Sequence, residues 1–260
     1  MKTRFITLLL FICCTSVLMG CNDTSDPIPN TPTQETDPLL WQQNPQGTPE
    51  QRLIRKSYVV SYNSTTMQPN WVAWQLTAEH TYGSVNRPNN AFREDLEVPY
   101  PRATLQDYKG SGWTRGHLCP AGDNKWDSDA MYETFLLSNI CPQNNNLNSG
   151  VWNQIEISCR EWAKCYGKIY IVCGPIFYRT EHERIGPNQI PVPEAFFKVI
   201  LRLGAEPRAI CYVCKNTDGS GKKDLYVNSL SQVERITGIK FFPSLSAETR
   251  QAIDAAGPEM

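Results

Sequence analysis

Aromatic and β-branched residues crowd together in a series of short stretches along this chain, and turn-forming residues lie between them. Ser57 to Tyr62 and Trp71 to Thr77 are two such stretches, and Asn63 to Asn70 between them predicts a β-hairpin. Thr134 to Ile140, Lys168 to Cys173, Ala195 to Leu203 and Ala209 to Cys214 predict further strands, punctuated by Pro175, Pro191, Gly204 and Pro207. A different period appears at Trp152, Ile155, Cys159 and Trp162, whose spacings of 3, 4 and 3 predict one apolar face of a helix over 147–164. Ser231 to Thr237, closed by Gly238, predicts a shorter helix. No segment repeats another, which argues against solenoids and propellers. Strands dominate and helices intervene, so the fold class is α+β.

The N-terminus follows another pattern. Lys2 and Arg4 precede an apolar run from Phe5 to Met19, which reads as an export signal and is short for a membrane span. Leu18-Met19-Gly20-Cys21 resembles the bacterial lipobox, so Cys21 is the expected lipidation site and the membrane an expected partner through it. Residues 1–20 are then a signal peptide of an exported, cell-envelope lipoprotein. Residues 22–50 carry six prolines, five acids and no Lys or Arg, and 21–50 are expected to be a mobile tether. The folded domain is expected over 51–260, self-sufficient when cut near Gln51.

Charge and cysteine content refine this picture. Lys and Arg total 25 against 26 Asp and Glu, a formal net charge of -1, which argues against coating nucleic acid by bulk electrostatics. Residues from Gln51 onward carry +2, since the negative charge sits in the proposed tether. Beyond Cys13, Cys14 and Cys21, seven cysteines remain, which allow at most three disulfides. Zinc is the rival use: His117-x-Cys119 and Cys211-x-x-Cys214 have suitable ligands, 92 residues apart.

The candidate chemistry lies between Asp107 and Glu156. Gly112-Trp113-Thr114-Arg115-Gly116-His117 sets an imidazole beside a guanidinium, with a glycine between them that admits a close backbone or phosphate. The run Phe135 to Ile140, then Pro142-Gln143, then the helix opening at Leu147-Asn148 makes strand, strand and helix in order. At 100° per residue Asn148 starts the helix's buried face, where its amide oxygen suits a hard cation; Glu156, about 80° round, flanks the same side. Spacing leaves the alternatives open that Asn148 caps the helix and Glu156 is a solvated charge.

The chain resembles the DNA/RNA non-specific endonucleases of the ββα-metal finger type. The resemblance runs through Ser61-Tyr62-Asn63, Asn70 to Trp74, Asp107 to His117, Leu137 to Gln143, Leu147 to Trp152 with Glu156, Gly174 to Phe177, Val192-Pro193 with Phe196 to Val199, and Thr237 to Pro243. It implies a central, mainly antiparallel sheet flanked by helices, and a Mg²⁺-dependent endonuclease, with Mn²⁺ or another divalent cation as substitutes, acting on DNA, RNA or both through their phosphates. It further implies that His117 is the general base, Asn148 the metal ligand and Glu156 a residue holding metal-bound water. Arg115 and Asn139 fall on auxiliary site positions, and Arg87 and Arg93 compete for an upstream phosphate-binding arginine. Thr114 stands where the family usually has aspartate. A non-catalytic nucleic-acid-binding envelope lipoprotein is the alternative function, and homodimerisation stays open. His80 and His182 lie outside every motif and are expected to be ordinary surface residues.

Overall fold

The computed structural model of the protein describes residues 37–217 and 219–260. Cys21, the apolar run before it and the proposed lipobox lie outside the described residues.

Eleven strands form among the described residues: β1 (Gln51–Ile54), β2 (Val59–Asn63), β3 (Gln68–Thr77), β4 (Thr114–His117), β5 (Ile140–Gln143), β6 (Lys168–Ile176), β7 (Arg184–Ile185), β8 (Ile190–Pro191), β9 (Ala195–Arg202), β10 (Arg208–Lys215) and β11 (Val227–Asn228). Seven of them make one sheet in the order β1-β2-β3-β6-β9-β10-β11, antiparallel at every junction. The expected hairpin is β2 and β3, and β9 and β10 form a second. The helices are α1 (Leu105–Tyr108), α2 (Ser128–Glu133), α3 (Asn145–Leu147), α4 (Asn153–Tyr166), α5 (Leu230–Thr237) and α6 (Ala247–Ala256). Ser229 and Gln232 form a capping box at the start of α5, and Gly238 ends it in the left-handed conformation at φ 72°. The α+β class with a flanked antiparallel sheet is therefore the observed one.

Strands such as Val59-Val60 and Ile171-Val172 read as unbroken apolar runs because both faces of the sheet are covered. One face packs Val60, Val72, Ile171 and Cys173 against Trp152, Ile155 and Cys159 of the α4 region. The other packs Val59, Ala73, Val172 and Val199 against Leu40, Val233, Phe241 and Ile253.

That second layer corrects the expected tether. Asp37 accepts from Leu39 N–H at 3.0 Å and from the Tyr170 hydroxyl at 3.0 Å, and Leu40 is buried in the core. Trp41 meets Trp71 edge-on with centroids 6.1 Å apart. Gln43 exchanges backbone bonds with Lys240, and Asn44 Oδ1 accepts the Trp71 indole N–H at 2.9 Å. Proline and acid content misled here because a few apolar and amide side chains suffice to dock an extended segment. Residues 37–50 thus belong to the fold. A chain cut at Gln51 loses a buried leucine and leaves the Trp71 indole and the Tyr170 hydroxyl without these partners, several kcal/mol in all. Its melting temperature is expected to fall by at least about 10 °C relative to a chain starting at Asp37, measured by calorimetry.

Two elements near the site also differ from expectation. The stretch Thr134 to Ile140 is a strand only at its end; Leu137–Asn139 is a helical turn, held by the Leu137 N–H bond to Arg93 O at 2.9 Å. The expected helix over 147–164 is interrupted. A wide turn, Asn148–Trp152, with Gly150 at φ -95° and ψ -114°, separates α3 from α4. The Gly219 carbonyl accepts Val151 N–H at 3.2 Å and lies 2.8 Å from where a Gly150 Cβ would stand.

The seven described cysteines are all free thiols, which corrects the disulfide expectation. Cys211 packs on one face of the sheet and Cys214 on the other, as positions three apart in a strand must, so they cannot share a zinc ion. No group of three or more His, Cys, Asp or Glu among the described residues is placed to hold a metal.

Candidate active site

β4 and β5 form a separate antiparallel ribbon in which His117 opposes Ile140, Gly116 opposes Cys141, Arg115 opposes Pro142 and Thr114 opposes Gln143. α3 follows at once, started by the Asn144 side chain, which accepts from Asn146 and Leu147 N–H. The order strand, strand and helix holds, but the two strands are Thr114–His117 and Ile140–Gln143 rather than the expected Phe135 to Ile140 and Pro142-Gln143. They border a cleft of about 580 Å³ lined by Arg87, Phe92, Trp113, Arg115, His117 and Asn148 among others.

His117 forms part of the cleft wall between two aromatic rings, with centroids 5.2 Å from Phe92 and 4.9 Å from Phe135. The Arg87 guanidinium lies 5.0 Å above Phe92 and that of Arg115 4.4 Å. Burial, then the charges of Arg87 and Arg115, hold the imidazole pKa down at about 3. The ring is therefore neutral at physiological pH. Neither ring nitrogen has a hydrogen-bond partner among the described residues, and Nε2 is sealed from solvent. Nδ1 is not among the sealed atoms, so it is the nitrogen a ligand or water can complete, beside two guanidinium groups that form no ion pair among the described residues.

The glycine between Arg115 and His117 admits a side chain rather than a phosphate: a Cβ on Gly116 would stand 2.2 Å from Gln143 Oε1 and 2.6 Å from Gln143 Cβ. Gly116 lets the two strands of the ribbon close around Gln143.

Asn148 reaches the cleft from the start of the wide turn. Thr114 Oγ1 donates its single hydrogen to Gln143 O at 2.8 Å, so toward Asn148 Nδ2, 3.5 Å away, it acts only as an acceptor. This pairing turns the amide nitrogen to Thr114 and releases Oδ1, which accepts no hydrogen bond from a described residue. Thr114 thus orients the amide.

The remaining expected site residues part company. Asn139 is wholly buried, and its amide is spent on the backbone: Oδ1 accepts Cys119 N–H at 2.9 Å, and Nδ2 donates to Cys119 O and Thr134 O, each at 2.9 Å. It fastens the end of β4 and does not line the cleft. Arg93 binds the Ala91 and Tyr132 carbonyls and covers the Tyr132 ring, so of the two competing arginines Arg87 alone borders the cleft. Glu156 is not a cleft-lining residue either. The charges that act on it are those of Lys198, Asp123 and Arg160, and Lys198 is itself buried between Trp74 and Trp152 at 5.2 and 4.5 Å. Burial first, and the Asp123 charge after it, push the Glu156 carboxyl up to about 7, while Lys198 and Arg160 oppose the rise.

Phe92, Phe135 and Trp113 were absent from the expected site. Trp113 and Lys109 lie inside the run from Asp107 to His117, which was the available signal; Phe92 has none. His80 stacks on Trp126 at 4.3 Å, and His182 Nδ1 pairs with Glu194 Oε1 at 2.8 Å, so neither is the ordinary surface residue expected.

Comparison with known proteins places this geometry in a family. The model of the DNA/RNA non-specific endonucleases matches residues 35–248. Mitochondrial nuclease EXOG of Xenopus laevis is 38% identical over 232 residues, covering 83% of this chain and 64% of that protein. Human mitochondrial endonuclease G is 37% identical over 207 residues, covering 74% of this chain and 70% of that protein. Endonuclease G in the crystal structure of its complex with EndoGI superposes with a TM-score of 0.72 at 29% identity, covering 78% of this chain and 89% of that one. The matched stretch thus spans just under two thirds of the frog protein. These relatives correct the expected localisation: they are mitochondrial nucleases, and nothing in the comparisons supports an envelope lipoprotein or a membrane attachment through Cys21. With the family model matching most of this chain, and the ββα ribbon and cleft in place, the chain belongs to the DNA/RNA non-specific endonuclease family.

Proposed function

We propose that this chain is a divalent-metal-dependent endonuclease that hydrolyses phosphodiester bonds of DNA, RNA or both without sequence preference. The observation that carries the reading is His117: a neutral imidazole flanked by Arg87 and Arg115, none of the three side chains with a hydrogen-bond or ion-pair partner among the described residues, in a cleft that Asn148 also borders. The relatives bear the names of nucleases.

The chemistry follows from these parts. Arg87 and Arg115 grip phosphate oxygens and set phosphorus beside His117. The imidazole takes a proton from water as its oxygen attacks phosphorus in line and the O3′ bond breaks. The two guanidinium charges, which hold the free imidazole far below its usual pKa, are partly neutralised by bound phosphate, so the base gains proton affinity when substrate arrives. Cations that contact only phosphate read no sequence.

The donor set suits a hard cation. Asn148 Oδ1 is a neutral oxygen that accepts no hydrogen bond among the described residues, and Mg²⁺ commonly keeps most of its waters and takes few protein ligands, substrate phosphate supplying the rest. Asn148 would hold the ion, and the ion supplies electrostatic stabilisation of charge on the phosphoryl oxygens. Glu156 would act only at a distance, through ordered water.

Supercoiled plasmid incubated with the protein and Mg²⁺ is expected to pass through nicked and linear forms to short fragments, and a chelator to stop it. Intact plasmid under these conditions would refute the reading.

The pH profile tests the assignment of groups. Glu156 loses its charge as pH falls through about 7, whereas His117 stays neutral down to about 3. The acid limb of kcat/KM is therefore expected near pH 7 in the parent and at least about two units lower in Glu156→Gln. A limb that stays between about 6.5 and 7 in that variant would mean that the imidazole, not the Glu156 carboxyl, titrates there.

A further inference from the structure

A second cavity, of about 330 Å³, shares one wall with the cleft: Trp113 lines both. Its far side carries Arg179 and Lys215, both exposed, and neither forms an ion pair among the described residues. Two carboxylates also line it, but each is engaged. Glu183 accepts the Trp113 indole N–H at 2.7 Å, which pins the ring. Glu194 takes Tyr178 N–H at 3.0 Å and His182 at 2.8 Å. The cavity therefore offers two free cations and the wall of an anchored indole.

The floor is tied to the catalytic ribbon. Asn216 is buried; its Nδ2 donates to Pro142 O at 3.0 Å and Pro193 O at 2.8 Å, while its Oδ1 accepts Asn144 N–H at 2.8 Å. One amide thus joins β5, the cap of α3 and the end of β10, so the second cavity keeps a fixed position relative to Asn148.

Resting on the nuclease reading above, we infer that this cavity holds the nucleotide next to the scissile phosphate in an unpaired strand: its base stacks on Trp113 and its outer phosphate meets Arg179 and Lys215. Phosphate bound between Arg87 and Arg115 directs the rest of the strand along the cleft, and the Trp113 wall is where the cleft continues. A flat apolar face followed by cations matches the alternation of base and phosphate along one strand. A base still paired in a duplex cannot leave its stack to meet the indole without an unpairing cost. The cavity therefore favours unpaired strands over duplex.

The test is binding of the full chain, with chelator present so that nothing is cut, to a labelled unstructured 12-nucleotide DNA strand and to a hairpin duplex of similar length, followed by fluorescence anisotropy. Arg179→Ala with Lys215→Ala is expected to weaken single-strand binding roughly ten-fold and to reduce the slope of log affinity against log salt by about 0.7, the value for one phosphate on a single strand. Trp113→Ala is expected to cost roughly five-fold or more on the single strand, with Trp113→Phe restoring most of it, and to leave the duplex unchanged. An unchanged salt slope in the double variant overturns the phosphate subsite. Equal losses on strand and duplex in Trp113→Ala overturn the stacking. Plasmid cleavage by the parent chain separates these outcomes from failure of the nuclease reading itself.

Discussion

His117→Ala is expected to lower the cleavage rate by at least about 10², about 2.7 kcal/mol of transition-state stabilisation, while substrate binding and folding change little. The effect lies in the rate because the proton moves only as water attacks. Folding is spared because the imidazole makes no hydrogen bond to the protein among the described residues, and because burying it neutral between Phe92 and Phe135 leaves its nitrogens unpartnered. Removing it deletes ring contacts but breaks no polar network. Single-turnover cleavage of a labelled oligonucleotide, with affinity measured in chelator, separates the two. Cleavage within a few-fold of the parent would remove His117 from the role of base.

Asn148→Ala is expected to reduce activity by a similar factor, about 10² or more, and to raise the metal concentration that gives half-maximal rate. The structural cost is small. The lost side chain makes one long contact, 3.5 Å from Nδ2 to Thr114 Oγ1, and the Thr114 hydroxyl keeps its bond to Gln143 O. The backbone N–H of residue 148 still bonds Asn144 O at 2.9 Å, so the start of the wide turn survives. Titrating Mn²⁺ into parent and variant in the absence of nucleic acid reads the loss directly. Unchanged metal affinity with unchanged rate would show that the amide oxygen is not a ligand.

The sheet was legible because its signal is local. Ile169 to Cys173 and Ala209 to Cys214 are continuous apolar runs, and Ala195 to Leu203 is one broken only by Lys198 and Arg202; runs of this kind are buried on both faces. Arg115, His117 and Asn148 were legible as one group because they lie within about 35 positions of one another, but the strand that carries the first two, β4, has no hydrophobic period of its own and forms only by pairing with β5.

Where a polar side chain finds its partner is not local, and there the tertiary structure decided. Asn139 looks like a site residue in sequence, yet folding delivers the Cys119 backbone to both ends of its amide. An ideal helix at 100° per residue puts Glu156 on the side of Asn148; the Gly219 carbonyl, far along the chain, packs against Gly150 and interrupts that helix, and Glu156 is not among the residues that line the cleft. Arg87 and Arg93 are equivalent in composition and separate only because the Ala91 and Tyr132 carbonyls claim the second. Residues 37–50 have the composition of a linker and fold because Leu40 and Asn44 meet a layer formed by residues as distant as Ile253. Hydrophobic period is a property of neighbours in sequence, and it determined the elements of this protein. Hydrogen bonds and charge environments belong to neighbours in space, so only the packed structure decided which of the candidate groups stand at the cleft.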